Sequence, residues 1–147
     1  MKLFIFLLII ACLVESAFLP INIVLILLIS RSLNIDEDAN LYMGFFSGIF
    51  LGLLSSFNLG FYALAFLISV QIIRISKKMP ISANTLTVVP LSFILILLLS
   101  LAQEFFFQET FTLSSVIIQS LLALPIFIMV KFWEERFVVA PPLKLKI

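Results

Sequence analysis

The chain alternates long apolar runs with short polar or proline-containing segments. The apolar runs cover about residues 3–19, 21–31, 41–57, 59–75, 86–103 and 111–130. Most of them approach the length that crosses a bilayer as an α-helix, and the second is shorter. The pattern predicts an all-α integral membrane protein, a bundle of six transmembrane helices that forms a single domain over residues 1–147.

Composition and charge sharpen this prediction. The sequence is 63% hydrophobic and only 12% charged, which is far from the balance of a soluble domain. With six spans and a cytoplasmic N-terminus, all nine Lys and Arg residues fall on the cytoplasmic side, with Arg31 closing the second span. We therefore expect a multi-pass protein of the bacterial plasma membrane with both termini in the cytoplasm. The acidic stretch 36–38 is interpreted as a solvated cytoplasmic loop, or as a docking point for a basic partner.

The first apolar run has a second interpretation. Lys2 followed by an apolar stretch also fits a cleaved signal peptide, and residues 9–12 fit a lipoprotein cleavage site at Cys12. We favour a first membrane span, because further apolar runs follow it directly.

All four glycines of the chain lie in one stretch. Gly44, Gly48 and Gly52 are four residues apart, Ser56 continues the spacing, and Gly60 ends it. Small residues at this spacing let two helix backbones approach closely in a membrane. The first three share a helix face and predict a packing surface, used either within the chain or against a partner. Because the row drifts around the helix, Ser56 and Gly60 are expected at and beyond a turn.

Few polar groups are predicted to lie inside the membrane, and no ionisable group is expected deep in it. Glu15 and Glu104 are expected as hydrated carboxylates at the outer ends of their spans. Candidates for intramembrane polar contacts are amides. Gln119 is the most central of them, and an interhelical hydrogen bond is its simplest role, with a substrate contact as the alternative. The other two amide candidates are Asn58, at a turn, and Gln71.

The sequence gives no sign of catalytic chemistry. It contains no histidine, which removes the commonest general base and the commonest transition-metal ligand. Glu134 and Glu135 form an acidic pair without histidines beside it, and no serine has a membrane-embedded base. We therefore expect no enzyme activity, no cofactor and no metal, and the near-neutral net charge gives no hint of nucleic-acid binding.

The glycine stretch resembles the signature of the rod shape-determining protein MreD family. That signature is Gly-Phe-x-x-Gly-x-x-x-Asp-x-x-x-Gly-x-x-x-Gly, and Gly44-Phe45, Gly48 and Gly60 match it in register. The proline-containing segment 19–28 resembles the entry to the family's second span. Gly52 stands where the family has aspartate and Ser56 where it has glycine, so the role of that aspartate is not carried over.

The resemblance covers about residues 15–71 and implies a fold and a role. The implied fold is similar to the substrate-binding subunits of energy-coupling-factor vitamin transporters. The implied role is a non-enzymatic scaffold of the cell-wall elongation machinery, which sets rod cell shape. Its partners would be an MreC-like membrane protein and, through it, an MreB-like filament and the wall synthases. The alternatives are a vitamin-type substrate-binding subunit of a transporter and a small pore-forming or phage-type membrane protein.

Overall fold

The structure, a computed structural model, describes residues 2–18, 21–35, 37–55, 59–78, 85–108, 110 and 112–137. The described part of the chain is all-helical, as the sequence predicts. Six helices follow one another: α1 (Lys2–Phe18), α2 (Ile23–Asn34), α3 (Ala39–Leu54), α4 (Leu59–Lys78), α5 (Thr85–Phe107) and α6 (Leu113–Phe137).

The first three helices are shorter than the last three. Segments of the last three helices are long and apolar enough to cross a membrane: Gly60–Lys78, Leu86–Phe107 and Leu113–Arg136. The first three, α1, α2 and α3, have 17, 12 and 16 residues. At a rise of 1.5 Å per residue α2 is only about 18 Å long, whereas the 25 residues of α6 extend to about 37 Å.

The shortest helix is the centre of the bundle. Within the described residues α2 contacts all five other helices, and each residue from Val24 to Leu33 is buried. The sequence of α2 explains this position, because a helix that is apolar on every side is stable only when other elements surround it. Buried side chains from the other five helices pack around α2 to form one continuous core.

The glycine helix α3 packs against α4 of the same chain. A Cβ atom at Gly48 would lie 2.5 Å from the Cα atom of Ala63, so only glycine fits there. At Gly44 a Cβ atom would make an ordinary contact with Val70, at 3.5 Å. Gly52 is also buried. The sequence left open whether the glycine surface packs within the chain or against a partner. At Gly48 it packs within the chain.

The rest of the predicted glycine row does not share that contact. A Cβ atom at Gly60 would meet nothing within 4 Å, so this glycine does not mark a close helix contact with the described residues. The predictions for Ser56 and Asn58 lie outside the described residues.

Candidate functional site: the polar clusters at the two ends of α2

Polar side chains from other helices meet α2 at both of its ends. The N-terminal cluster comprises Glu15 of α1, Asn22 just before α2, and Ser115 and Gln119 of α6. The C-terminal cluster comprises Phe4 of α1, Arg31 of α2, Glu37 and Asn40 around the start of α3, and Glu134 of α6. Apart from buried serines, these clusters contain the buried polar and charged side chains of the described residues.

The N-terminal cluster accepts hydrogen bonds from the backbone N–H of Val24, in the first turn of α2, and from that of Asn22 just before the helix. The backbone N–H of Val24 donates to Oε2 of Glu15 at 2.9 Å. The backbone N–H and the side-chain amide of Asn22 both donate to Oε1 of Gln119, at 3.2 and 3.1 Å, and Nε2 of Gln119 donates to Oγ of Ser115 at 3.0 Å. Helix N-termini need acceptors for these groups and favour a nearby negative charge. The cluster is thus a helix cap supplied by two other helices.

The structure confirms one prediction at this end and corrects another. The expected hydrogen bonding of Gln119 between elements is present. Glu15, expected as a hydrated interfacial carboxylate, instead accepts a hydrogen bond from the start of α2. The correction has a physical cause: α2 begins only after Asn22, so its unpaired N–H groups lie beside α1. Gln71 and Glu104 are exposed on the outside of the bundle.

The C-terminal cluster surrounds a buried guanidinium. Arg31 is 1% exposed, and its Nε–H donates to Oδ1 of Asn40 at 3.1 Å. Its Nη2 lies 3.6 Å from Oε2 of Glu37, and its Nη1 lies 3.4 Å from Oε1 of Glu134. The guanidinium carbon lies 4.6 Å from the ring centroid of Phe4. Asn40 in turn donates to the carbonyl of Ile35 at 2.7 Å. Four segments of the chain therefore meet at one side chain.

These contacts differ from the sequence interpretation in two places. Arg31 is expected to close the second span, but α2 continues to Asn34 and the Arg31 side chain is buried within the bundle. Glu134, which the sequence places beyond the sixth span, is also buried against other helices and is 4% exposed. The cause is the packing of α6, which continues past Lys131 to Phe137 and brings a carboxylate beside Arg31.

The acidic stretch before α3 is only partly solvated. Asp36 lies outside the described residues. Glu37 pairs with Arg31 and keeps 44% of its side chain exposed. Asp38 accepts a hydrogen bond from Nη2 of Arg74 at 2.6 Å and stays 74% exposed. Both carboxylates therefore pair with arginines of the same chain. Glu37 links the start of α3 to α2, and Asp38 links it to α4.

The two clusters differ in how completely their groups are paired. In the C-terminal cluster, neither carboxylate oxygen of Glu134 accepts a hydrogen bond from the described residues. Both ion-pair distances of Arg31 are longer than the 2.7–2.9 Å of a tight charge-assisted hydrogen bond. The guanidinium is thus shared loosely between two carboxylates, and Glu134 keeps unused acceptor capacity.

Glu134 also lines a groove on the surface of the bundle. The α1/α6 groove has a volume of about 320 Å³, and its floor is formed by Ile23 and Leu27 of α2. Apart from Glu134 its lining is apolar and aromatic. Its lining residues on the two outer helices include Phe4, Leu7, Ala11, Met129, Val130 and Trp133. Glu134 stands at the edge of this largely apolar groove, and its two carboxylate oxygens are buried inside the bundle.

A second, larger groove runs between α1 and α3. It has a volume of about 630 Å³ and is lined by side chains that include Ile5, Ile9, Tyr42, Phe46 and Phe50. This α1/α3 groove lies on the side of α3 away from the contact of Gly48 with α4. The residues that the structure describes contain no group of three or more Cys, Asp or Glu residues placed to hold a metal ion.

Sequence reasoning missed Arg31 and Glu134 as partners. Two signals pointed weakly to them: the helical pattern continues past Arg31 through Leu33, and Glu134 stands in a segment that can prolong the sixth helix. Neither signal says that two charges so far apart in the chain meet, which depends on how α6 packs against α2.

Comparison with family models, with curated proteins and with solved structures finds no match to this chain.

Proposed function

We propose that the protein is a non-enzymatic scaffold of the bacterial plasma membrane, as the MreD resemblance implies, with all six helices crossing the membrane and both termini in the cytoplasm. The observation that carries the proposal is the position of α2. It is buried on every side and fixed at both ends by side chains of other helices. Such a bundle presents fixed outer surfaces to a partner and keeps its polar groups for its own helices.

The partner in this proposal is an MreC-like protein with a membrane-spanning helix. Because Gly48 is already covered by α4, the partner contacts another surface. The α1/α3 groove, with a volume of about 630 Å³, is open to the outside of the bundle. Exposed aromatic side chains line it, among them Tyr42 at 67% and Phe46 at 65% exposure. An apolar helix fills such a groove by dispersion contacts. The link to an MreB-like filament and the wall synthases would then pass through this partner.

The transporter alternative has less support. A vitamin-type site needs several polar groups that converge on a cavity. The groups that could serve, Glu15, Asn22 and Gln119, are bonded to one another's helices at the start of α2. The similarity to energy-coupling-factor subunits therefore remains part of the proposal for the fold and not for a substrate.

Site-directed crosslinking in native membranes tests the scaffold. In a Cys12→Ser background, cysteine is introduced singly at Phe46 in the α1/α3 groove and at Leu98 on α5, which is 51% exposed. We expect the cysteine at position 46 to crosslink to a membrane protein that mass spectrometry identifies as MreC-like, and the cysteine at position 98 not to do so. Failure to capture an MreC-like protein, or equal capture from both positions, would refute the proposal.

The six-span topology is tested separately by thiol labelling. Cysteines at Lys78 and at Gln108 flank α5, and we expect a membrane-impermeant reagent in intact cells to label only the one at position 108. Labelling of position 78 from outside, or of both positions, would contradict the proposed orientation.

A further inference from the structure

We propose that α5 and α6 form a movable arm, which swings away from α2 at the end of the bundle that contains Arg31 and stays attached at the end that contains Asn22. The ion pair between Glu134 and Arg31 is the latch that keeps the arm closed. This device goes beyond the scaffold role, because the α1/α3 groove lies on helices that stay in place.

The first observation behind this proposal is the way the outer helices pack. Among the described residues, α3 packs against α1 and α4, whereas α5 packs against α6. The central helix α2 lies between these two units and contacts helices of both. Within the same residues, the backbones of α5 and α6 approach those of α1, α3 and α4 at most at isolated points. The arm is therefore joined to the rest of the bundle mainly through α2.

The second observation is that both seams between the arm and the other helices contain grooves. On one side, the α1/α6 groove extends inward to Ile23 and Leu27 of α2. On the other side, a groove of about 210 Å³ separates the end of α4 from the start of α5, and its lining includes Leu33 of α2, Lys77 and Thr87. The arm can therefore move relative to α1 and α4 without disrupting a close-packed interface at these places.

The third observation is the set of contacts that attach the arm at the Asn22 end. Oε1 of Gln119 on α6 accepts two hydrogen bonds from Asn22, at 3.2 and 3.1 Å. Nε2 of Gln103 on α5 donates to the hydroxyl of Tyr62 on α4 at 3.0 Å. T-shaped aromatic contacts between the same two helices, with ring centroids 5.0 and 6.1 Å apart, add to this link. The arm is therefore bonded at this end to α2 and to α4.

At the Arg31 end the arm is held by charge. Oε1 of Glu134 on α6 lies 3.4 Å from Nη1 of Arg31, and the carboxylate accepts no hydrogen bond from the described residues. Lys77 of α4 and the N-terminal amine attract the same carboxylate. These attractions weaken when water raises the local dielectric constant. Water that enters at this end would hydrate both ions and offset the loss of their contact.

A bilayer makes these polar contacts decisive for the position of the arm. Apolar side chains that leave α2 contact lipid tails instead of water, so their separation has little hydrophobic cost. The 23 residues of α5 extend over about 35 Å. If the Asn22 end stays fixed, a rotation of about 10° moves the start of α5 by roughly 6 Å. A small rotation of the arm therefore gives a displacement that can be measured.

Distances between spin labels test the arm in the full-length protein, reconstituted in lipid vesicles and measured by double electron–electron resonance. In a Cys12→Ser background, cysteines at Tyr42 of α3 and Leu86 of α5 report the Arg31 end. Cysteines at Leu53 and Leu101 of the same two helices report the Asn22 end. The four native side chains are between 44% and 82% exposed, so the labels do not disturb the core.

With Glu134 and Arg31 both present, we expect the label pair at the Arg31 end to give the broader distance distribution. Glu134→Gln removes the ion pair and is expected to lengthen the distance at that end by about 5 Å or more, with less than about 2 Å of change at the Asn22 end. Glu135→Gln changes the adjacent carboxylate, which is exposed, and is expected to leave both distances unchanged.

The double variant Arg31→Leu/Glu134→Leu distinguishes a latch from general loosening. Without either charge, hydration no longer favours the open arm, so both distances should return to their original values. An unchanged distance in Glu134→Gln, equal lengthening at the two ends, or a double variant that stays open would overturn the proposal. If Glu134→Gln does not fold, the unsubstituted ion pair still provides the test, because equal distribution widths at the two ends would show that the arm does not move.

Discussion

Polar groups at both ends of α2 are paired inside the bundle, but the two ends use different interactions. At its N-terminal end, Val24 donates to Glu15 and Asn22 donates to Gln119, at distances of 2.9 to 3.2 Å. Its other end contains a buried cation with two carboxylates at 3.4 and 3.6 Å. The first end is held by hydrogen bonds of ordinary length. The second end is held by charge, is incompletely hydrogen-bonded and adjoins a groove.

This difference concerns stability. The N-terminal cluster supplies acceptors at ordinary hydrogen-bond distances, whereas the C-terminal cluster holds buried charges that depend on one another. Substitutions at the two ends should therefore have different consequences.

The largest effect is expected from breaking the ion cluster on one side only. Arg31→Leu leaves Glu134 buried without its ion-pair partner and should lower the free energy of unfolding by about 3–5 kcal/mol. The double variant Arg31→Leu/Glu134→Leu removes both charges and should recover most of that loss. Denaturant unfolding in detergent micelles measures both variants. A double variant as unstable as Arg31→Leu would show that the pair matters for more than its charge balance.

The next largest loss of stability is expected at Gly48, where two helices pack closely at a distance from both ends of α2. Gly60 serves as the control. Gly48→Ala places a methyl group against the backbone of α4 and should cost about 1–3 kcal/mol by overpacking. Gly60→Ala is its control, because nothing lies within 4 Å of its Cβ position. At this second glycine alanine should be neutral or stabilise the helix by up to about 1 kcal/mol. Thermal unfolding of both variants should show a clearly lower Tm for Gly48→Ala and an unchanged or higher Tm for Gly60→Ala. Equal shifts in Tm would contradict the close contact at Gly48.

Substitutions at the N-terminal end of α2 should lower the free energy of unfolding by a smaller amount. Glu15→Ala removes the acceptor of the Val24 N–H and should cost about 0.5–2 kcal/mol, as for the loss of a helix cap. Ser16→Ala is the matched control, since the Ser16 hydroxyl only donates to the carbonyl of Leu13 in an exposed position. If both variants unfold at the same denaturant concentration, Glu15 is not a cap for α2.

The smallest effect is expected where a polar contact is replaced conservatively. Gln119→Glu keeps an acceptor for Asn22 but removes the donor to Ser115, and it should cost about 1 kcal/mol. Removing the hydroxyl with Ser115→Ala should cost no more than this. Combining the two should add little, because both changes break the same hydrogen bond. Full additivity in denaturant unfolding would mean that Gln119 and Ser115 act separately.

The sequence predicted the helical class and the approximate position of each helix, because long apolar runs give a strong local signal. It also predicted that Gly48 packs closely and that Gln119 is hydrogen-bonded. It could not predict that the short second run becomes the centre of the bundle. Periodicity describes one helix at a time, whereas the burial of α2 depends on the arrangement of five others.

The same reasoning explains why the charged cluster was missed. A charged residue after an apolar run is usually a boundary, and Arg31 was interpreted in that way. Its burial depends on Glu134, which lies on the last helix, and on Asn40, which takes its Nε–H. A single sequence carries no signal for a pairing between such distant positions. The capping role of Glu15 was missed for a related reason, because the start of α2 was expected two residues earlier.

The dependence of α2 on α6 has a consequence for biosynthesis. Gln119 follows Asn22 by 97 residues, which takes roughly 5–20 s to synthesise at ~5–20 residues per second. Throughout this interval the amide and carboxylate partners that the sixth helix supplies have not yet been made. Assembly can therefore be completed only by the last helix to be made. A nascent chain that stops before it would leave Arg31 with Asn40 and Glu37 but without Glu134, and Asn22 without Gln119.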